Sequence, residues 1–210
     1  MAHSLAFFGA FNPPTRAHVD LAEIAMRQTG AGYVTFVPSK STYILDFQKK
    51  DFAFSDEDRI GMLKQIAEKR EWLHWTDIEL KSETQPRTYE TLCKLRDMGE
   101  NPSLLLGADK LPELEHLWIH VPEIASEFGI VCMDRGTTSC EELIQSSPFL
   151  TSLNLRVVHV PNEYKSVSST KIRELFTQLQ QIKETLQPLL PPELSDLPAR
   201  LLQKNDVVND

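Results

Sequence analysis

The sequence is short of cysteine, of positive charge and of long apolar runs, and each shortage removes a class of protein. Three cysteines occur, Cys93, Cys132 and Cys140. They form no C-x-x-C pair, their number is odd, and none has a histidine or carboxylate at metal-ligand spacing. A disulfide framework, a structural zinc site and a cysteine nucleophile are therefore not expected, and a reducing, cytoplasmic setting is. Cys132 lies in the apolar run 129–133 and reads as a small core residue. Acidic residues outnumber basic ones by 30 to 22, a net charge of −8. General nucleic-acid and membrane-surface binders need a basic face, so neither partner is expected. A small anionic ligand needs only a local cluster of cations and amides and stays open. No apolar run is long enough to span a bilayer. The first residues lack the basic-then-apolar pattern of a secretory signal, so none is expected. No internal repeat or low-complexity segment stands out.

What is present suffices for one sizeable core: 210 residues, 41% hydrophobic and 25% charged. Strand-like and helix-like stretches alternate. Leu5–Phe8 is an apolar strand, and a helix follows to about Gln28 with Val19, Ala22, Ile24, Ala25 and Met26 on its apolar face, ended by Gly30 and Gly32. Tyr33–Val37 is a second strand stopped by Pro38. Residues 39–54 have no clean period and carry Lys40, Lys49 and Lys50, so they read as a long loop. Ser55 is an N-cap ahead of Asp56, Glu57 and Asp58, and Ile60, Leu63, Ile66 and Ala67 give the next helix its stripe.

A third strand falls within Trp72–Leu80, and Thr88 opens a helix closed by Gly99. Ser103–Gly107 is continuously apolar, as a buried parallel strand should be. Helical turns around Leu111–Leu117 and Pro122–Glu127, a strand Ile130–Met133, a helix Ser139–Gln145, a strand Leu155–Val160 and a helix from Ser168 complete the alternation. The order predicts an α/β fold: a doubly wound parallel sheet of about six strands with a small C-terminal helical region, divided as a domain of 1–180 and a helical extension of 181–210 packed on it. In such folds ligands bind beyond the C-terminal strand ends. The chemically interesting residues gather there: 9–18, 40–50, Thr88, 107–109, Arg135 and 168–173.

Gly9-Ala10-Phe11-Asn12-Pro13-Pro14-Thr15-Arg16-Ala17-His18 joins a strand to a helix N-terminus through a tight loop, the geometry that offers backbone N–H groups to phosphate. Thr15 and His18 are three apart and share a helix face. A plain βα turn with a satisfied histidine is the bland alternative. Ser168-Ser169-Thr170-Lys171-Ile172-Arg173 puts three hydroxyls at a helix start, and Arg173 can turn back toward them. N-capping explains one hydroxyl and a polyphosphate site explains the set. Gly107-Ala108-Asp109 lets a ligand approach backbone and offers a carboxylate to ribose hydroxyls, or is an ordinary N-cap. Trp118 is a core aromatic or a platform for a flat heterocycle. No acid/base pair suited to proton transfer is evident.

The loop 9–18 matches the G-x-F-[DN]-P-x-[HT]-x-x-H signature of the nucleotidyltransferase superfamily, and 167–173 resembles its second signature, I-S-S-T-x-I-R. Leu106-Gly107-Ala108-Asp109 with Leu114 and Trp118, Glu79-Leu80, Thr88–Leu92, and Tyr43 with Lys49, Lys50 and Arg59 resemble blocks of the nicotinamide/nicotinate mononucleotide adenylyltransferases. The resemblance covers about residues 4–175. It implies a Rossmann-like fold and adenylyl transfer from ATP to NMN or NaMN, releasing pyrophosphate, with Mg2+ arriving on ATP and no dedicated metal cluster. By resemblance, His18, Thr15 and Arg173 are catalytic. Gly9, Phe11, His18, Gly107, Asp109, Ser168, Ser169, Thr170 and Arg173 meet ATP. Ala10, Phe11, Lys49, Lys50, Thr88, Trp118 and Arg135 meet the mononucleotide. Thr15 stands where bacterial members commonly have His, Ala17 where many have Gly, and Ile78 where a pyridine-flanking aromatic is usual. Two alternatives remain: the same fold serving another acceptor such as phosphopantetheine, and a non-catalytic nucleotide-binding regulatory module. Whether the chain forms a homo-oligomer is left open.

Overall fold

The computed structural model describes residues 2–50, 52–134, 139–161, 169–176, 189–194 and 197, the side chains of 174–176 aside. Six strands form one sheet: β1 Ser4–Gly9, β2 Tyr33–Pro38, β3 Leu73–Trp75, β4 Pro102–Gly107, β5 Ile130–Met133 and β6 Arg156–Val158. Their order is β3-β2-β1-β4-β5-β6 and every neighbouring pair is parallel. The chain thus winds outward from β1 in one direction and from β4 in the other. These two strands meet at the topological switch point, where open α/β sheets bind ligands. The β1–β4 pairing stops at Phe7 opposite Leu105, two residues before either strand ends, whereas β1–β2 pairing runs on to Gly9 opposite Pro38. A crevice therefore opens on the β4 side of Gly9.

The strands are apolar on both faces because helices cover both. Leu5 and Phe7 of β1 and Leu105 of β4 belong to one core, and Ala6, Leu104 and Leu106 to the other. The first core is closed by α1 (Arg16–Thr29), α3 (Asp56–Ala67) and α9 (Ser169–Phe176), joined by Leu190, Leu194 and Leu197 from the C-terminal region. The second is closed by α4 (Thr88–Asp97), α5 (Leu111–His116), α6 (Val121–Glu127), α7 (Cys140–Ser146) and α8 (Pro148–Ser152). A short helix, α2 (Ser41–Asp46), stands at the sheet's C-terminal edge.

Four departures from the sequence reading have physical causes. Within the expected loop 39–54, α2 forms around the buried Ile44. The third strand is cut to three residues, because residues 77–82 coil into turns whose carbonyls at Leu80 and Ser82 are taken by the Lys40 ammonium, at 2.7 and 2.6 Å. The buried stripe of α3 is Arg59, Met62, Leu63 and Ile66, one register away from the expected Ile60. Cys132 is buried as expected, but it is disulfide-paired with Cys140, Cα to Cα 6.5 Å. Three cysteines do not announce a pair; the return of the chain from β5 into α7 makes it. Cys93 remains a free thiol.

Candidate active site

The loop between β1 and α1 owes its shape to where its carbonyls go. Gly9 O accepts the N–H of Ser39 beyond β2 at 3.0 Å, and Ala10 O accepts Nη1 of Arg59 from α3 at 2.8 Å. Asn12 O accepts Nη1 of Arg173 and Pro13 O accepts the Ser169 hydroxyl, both from α9 and both at 2.8 Å. Four carbonyls are thus held by three other elements. In a trans peptide the N–H points opposite to the C=O, and the cis bond of this loop lies further on, at Asn12–Pro13. With Gly9 O fixed toward β2, Ala10 N–H faces the β4 side, into the crevice. With Ala10 O fixed toward α3, Phe11 N–H faces away from that helix. Consecutive N–H groups turned outward beside a left-handed residue are the donors of a candidate anion nest.

Phe11 supports the nest from beneath. Its ring is buried, 5.0 Å from Phe36 and 5.4 Å from Phe7 between centroids, and its φ of 44° lies in the left-handed region. A Cβ on Gly9 would come within 3.1 Å of Cζ of that ring, which is why glycine stands there. The Phe11 ring is core, so a ligand contact by this residue falls to its backbone. Asn12 is buried too, donating from Nδ2 to Phe52 O at 2.7 Å and accepting the Phe54 N–H at 2.9 Å.

Thr15 caps α1 and His18 occupies its third helical position. The Thr15 hydroxyl accepts the His18 N–H at 3.3 Å, and His18 Nδ1 accepts the Thr15 N–H at 3.0 Å. The ring also packs edge-on against Phe11, 5.3 Å between centroids. Because Nδ1 acts as an acceptor, the ring proton of the neutral imidazole sits on Nε2. His18 is therefore built as a hydrogen-bond donor at the helix N-terminus, where the dipole already favours negative charge.

The second signature lies beside the first. Arg173 bridges Asn12 O and the Thr170 hydroxyl, the latter at 3.1 Å. The Ser169 proton goes to the loop rather than to a ligand. Ser168 and Arg135 lie outside the described residues. Gly107 and the buried Ala108 end β4 across the crevice from Gly9, with Asp109 exposed at the start of the next turn. Thr88 begins α4, half-buried, and Trp118 packs part-exposed on the second core. Lys49 and Lys50 are exposed beyond α2, with Lys49 at φ 52°.

Two buried ionisable groups escaped the sequence reading as site residues. Arg59 has no exposed side-chain area, and burial pulls its guanidinium below the usual range while Asp56 opposes the shift. The available signal is its place in the block with Tyr43, Lys49 and Lys50, which gives it no role. Glu79 accepts the Thr91 hydroxyl at 3.0 Å and Gln85 Nε2 at 2.5 Å, and Gln85 Oε1 accepts the Lys40 N–H at 2.9 Å. Burial pushes this carboxyl up to about 7. Thr91 sits a turn after Thr88, so the network pins the segment leading into α4.

The cytidylyltransferase-like family profile matches residues 6–175. A probable nicotinate-nucleotide adenylyltransferase of Clostridium botulinum (strain Okra / Type B1) is 30% identical over 169 residues, which is 79% of this chain and 82% of the relative. The chain belongs to the nicotinamide/nicotinate mononucleotide adenylyltransferases of the cytidylyltransferase-like family. Nicotinamide/nicotinic acid mononucleotide adenylyltransferase 2 of Caenorhabditis elegans is 26% identical over 199 residues, 86% of this chain and 89% of that one. The fold matches the nicotinic acid mononucleotide adenylyltransferase of Plasmodium falciparum complexed with NaAD, with a TM-score of 0.73, 16% identity and 96% of each chain covered. The Rossmann-like architecture of this family is thus present. No helix among the described residues is long and apolar enough to cross a membrane.

Proposed function

We propose that the chain joins ATP to nicotinamide or nicotinate mononucleotide, giving NAD or its deamido form and pyrophosphate. The observation that carries the reading is the loop in which the carbonyls of Gly9, Ala10, Asn12 and Pro13 are each claimed by a neighbouring element, so that the N–H groups of Ala10 and Phe11 are turned the other way at the switch point, with His18 and Arg173 bonded into the same loop. The mononucleotide phosphate is the nucleophile. It is already an anion, so no general base is required. It attacks the α-phosphorus in line and pyrophosphate leaves. The work left to the protein is placement and stabilisation of charge on the phosphoryl oxygens. His18 Nε2–H and the N–H groups of the nest serve the α-phosphate. Arg173 and Thr170, with Ser168 by resemblance, serve the leaving pyrophosphate.

Gly107 and Asp109 take the adenosine ribose across the crevice. On the acceptor side Lys49 or Lys50 meets the mononucleotide phosphate, and Thr88, Trp118 and Arg135 border the rest of it. The loop 9–18 and the start of α9 offer N–H groups, hydroxyls and a guanidinium, which suit phosphate oxygens. Mg2+ brought in with ATP would supply charge neutralisation on the phosphates, while Arg173 and Thr170 supply it from the protein. The test is pyrophosphate release with Mg2+–ATP and, in turn, NMN, NaMN and phosphopantetheine. Release with a pyridine mononucleotide is expected. Release with phosphopantetheine alone would reassign the acceptor, and nucleotide binding without turnover would make the chain a regulatory module.

A further inference from the structure

Arg59 donates three ways from complete burial: Nη1 to Ala10 O at 2.8 Å, Nε to Phe54 O at 3.3 Å and Nη2 to Asp56 Oδ1 at 2.5 Å. The same Asp56 oxygen accepts the N–H of Ser41, the first residue of α2, at 2.7 Å. One guanidinium and one carboxylate oxygen thus tie the anion nest to the helix that leads into Lys49 and Lys50. We propose that Arg59 and Asp56 form a strut that holds the ATP side and the acceptor side in register. Both are positioning residues, and the proposal rests on the reading of the reaction given above.

Three considerations support it. A buried guanidinium is costly, and an apolar side chain of similar size beside Met62 and Leu63 would avoid that cost. Its retention calls for a task that an apolar side chain cannot do, and orienting a main-chain carbonyl is one. In-line transfer tolerates little error: a misplacement of about 1 Å between reacting groups costs on the order of 100-fold in rate. The reacting phosphates are held by different segments, the nest at 9–11 and the stretch after α2. Their spacing is therefore only as exact as the link between those segments. Asn12, bonded to Phe52 and Phe54, braces the same junction from the loop side.

The experiment uses Asp56→Asn, Ser41→Pro and Arg59→Lys in the full chain. Asp56 is part-exposed, so its neutral isostere should fold. Ser41→Pro removes the N–H together with the hydroxyl, for which Ser41→Ala is the control: proline is well accepted at a first helical position, and Lys40 at φ −59° and ψ 143° already has the conformation that precedes proline. For Asp56→Asn and Ser41→Pro, kcat should fall about 10- to 100-fold. The dissociation constants of ATP and of the mononucleotide, measured singly by calorimetry, should change less than about threefold; the melting temperature should fall in Asp56→Asn, where the buried guanidinium loses its counter-charge, and change little in Ser41→Pro. Arg59→Lys should behave likewise if it folds; if it does not, the other two decide. Unchanged kcat in both, or a loss of each single affinity as large as the loss of kcat, overturns the proposal. Amide exchange on the free protein gives an arm independent of turnover. Segments 5–15 and 41–50 should lose protection together in Asp56→Asn, and loosening of 41–50 alone overturns the strut. If the wild type releases no pyrophosphate, the assigned reaction falls while the exchange result still judges the strut.

Discussion

The two sides of the crevice are built differently. On the ATP side the loop 9–14 is pinned through its own carbonyls, floored by the Phe11 ring and clamped by Ser169 and Arg173. On the acceptor side α2 has six residues, and large apolar side chains stand in solvent: Phe47 is 74% exposed and Leu117 69%. Lys49 and Lys50 are exposed as well. The anchored part of that side is the Glu79–Gln85–Lys40 network and the strut at Asp56. The loop 9–14 is thus organised in the free protein, while the segment after α2 would bear an ordering cost if the mononucleotide binds there as proposed. A reaction that depends on electrostatic placement gains most from rigidity where charge develops, and that is the nest.

Substitutions can break this contrast, beginning with the largest effect. His18→Ala should lower kcat by on the order of 100-fold or more, since a donor to the transition state is lost. Steady-state kinetics with both substrates saturating would show it, and unchanged turnover would remove His18 from the chemistry. Arg173→Ala should raise KM for ATP by roughly tenfold and also lower the melting temperature, because the guanidinium holds both ligand and loop. If the loop is held without it, the melting curve will not move. Gly9→Ala should destabilise the fold by about 1–3 kcal/mol through overpacking against Phe11, read from denaturant unfolding.

On the acceptor side, Lys49→Ala and Lys50→Ala should each leave stability intact. One of them should raise the mononucleotide KM several-fold with ATP unaffected, and that split identifies the phosphate ligand. The smallest effect is the pH dependence due to Glu79. Its folded value of about 7 lies above the ordinary 4.5, so the folded chain holds the proton more tightly than the unfolded one. The stability tied to this group is full below about 4.5 and lost as pH rises through about 7. The melting temperature of Glu79→Gln minus that of the wild type should grow from acid to neutral pH and then level off. A constant difference would show that the carboxyl is not shifted.

Much of this was legible in the sequence, and the misses share a cause. The six strands, the Ser55 cap, the opening of α4 at Thr88 and the turn of Arg173 toward Thr170 follow from local periodicity and spacing, which the fold respects. The pairing of Cys132 with Cys140, the claim of Arg59 on Ala10 and the embedding of Glu79 depend on partners 8, 49 and 12 residues away. A linear pattern does not rank such contacts. Phe11 shows the limit from the other direction: its place in a ligand-binding motif marked it as a contact, while its left-handed backbone turns the ring into the core.

One consequence follows from a loop that recognises phosphate through peptide groups. Such recognition does not depend on which side chain stands at position 10. What keeps the nest in shape is a set of distant donors, so its geometry can be inherited unaltered while the exposed segments after β2 and before α4 are rewritten. On the proposed assignment the molecule is divisible in that sense, a fixed triphosphate holder joined through Asp56 to a replaceable acceptor seat. Redesign toward a new phosphorylated acceptor should begin at residues 45–50, 83, 84 and 87 and leave Ile44, Gln85, Arg59, Asn12 and Gly9 untouched.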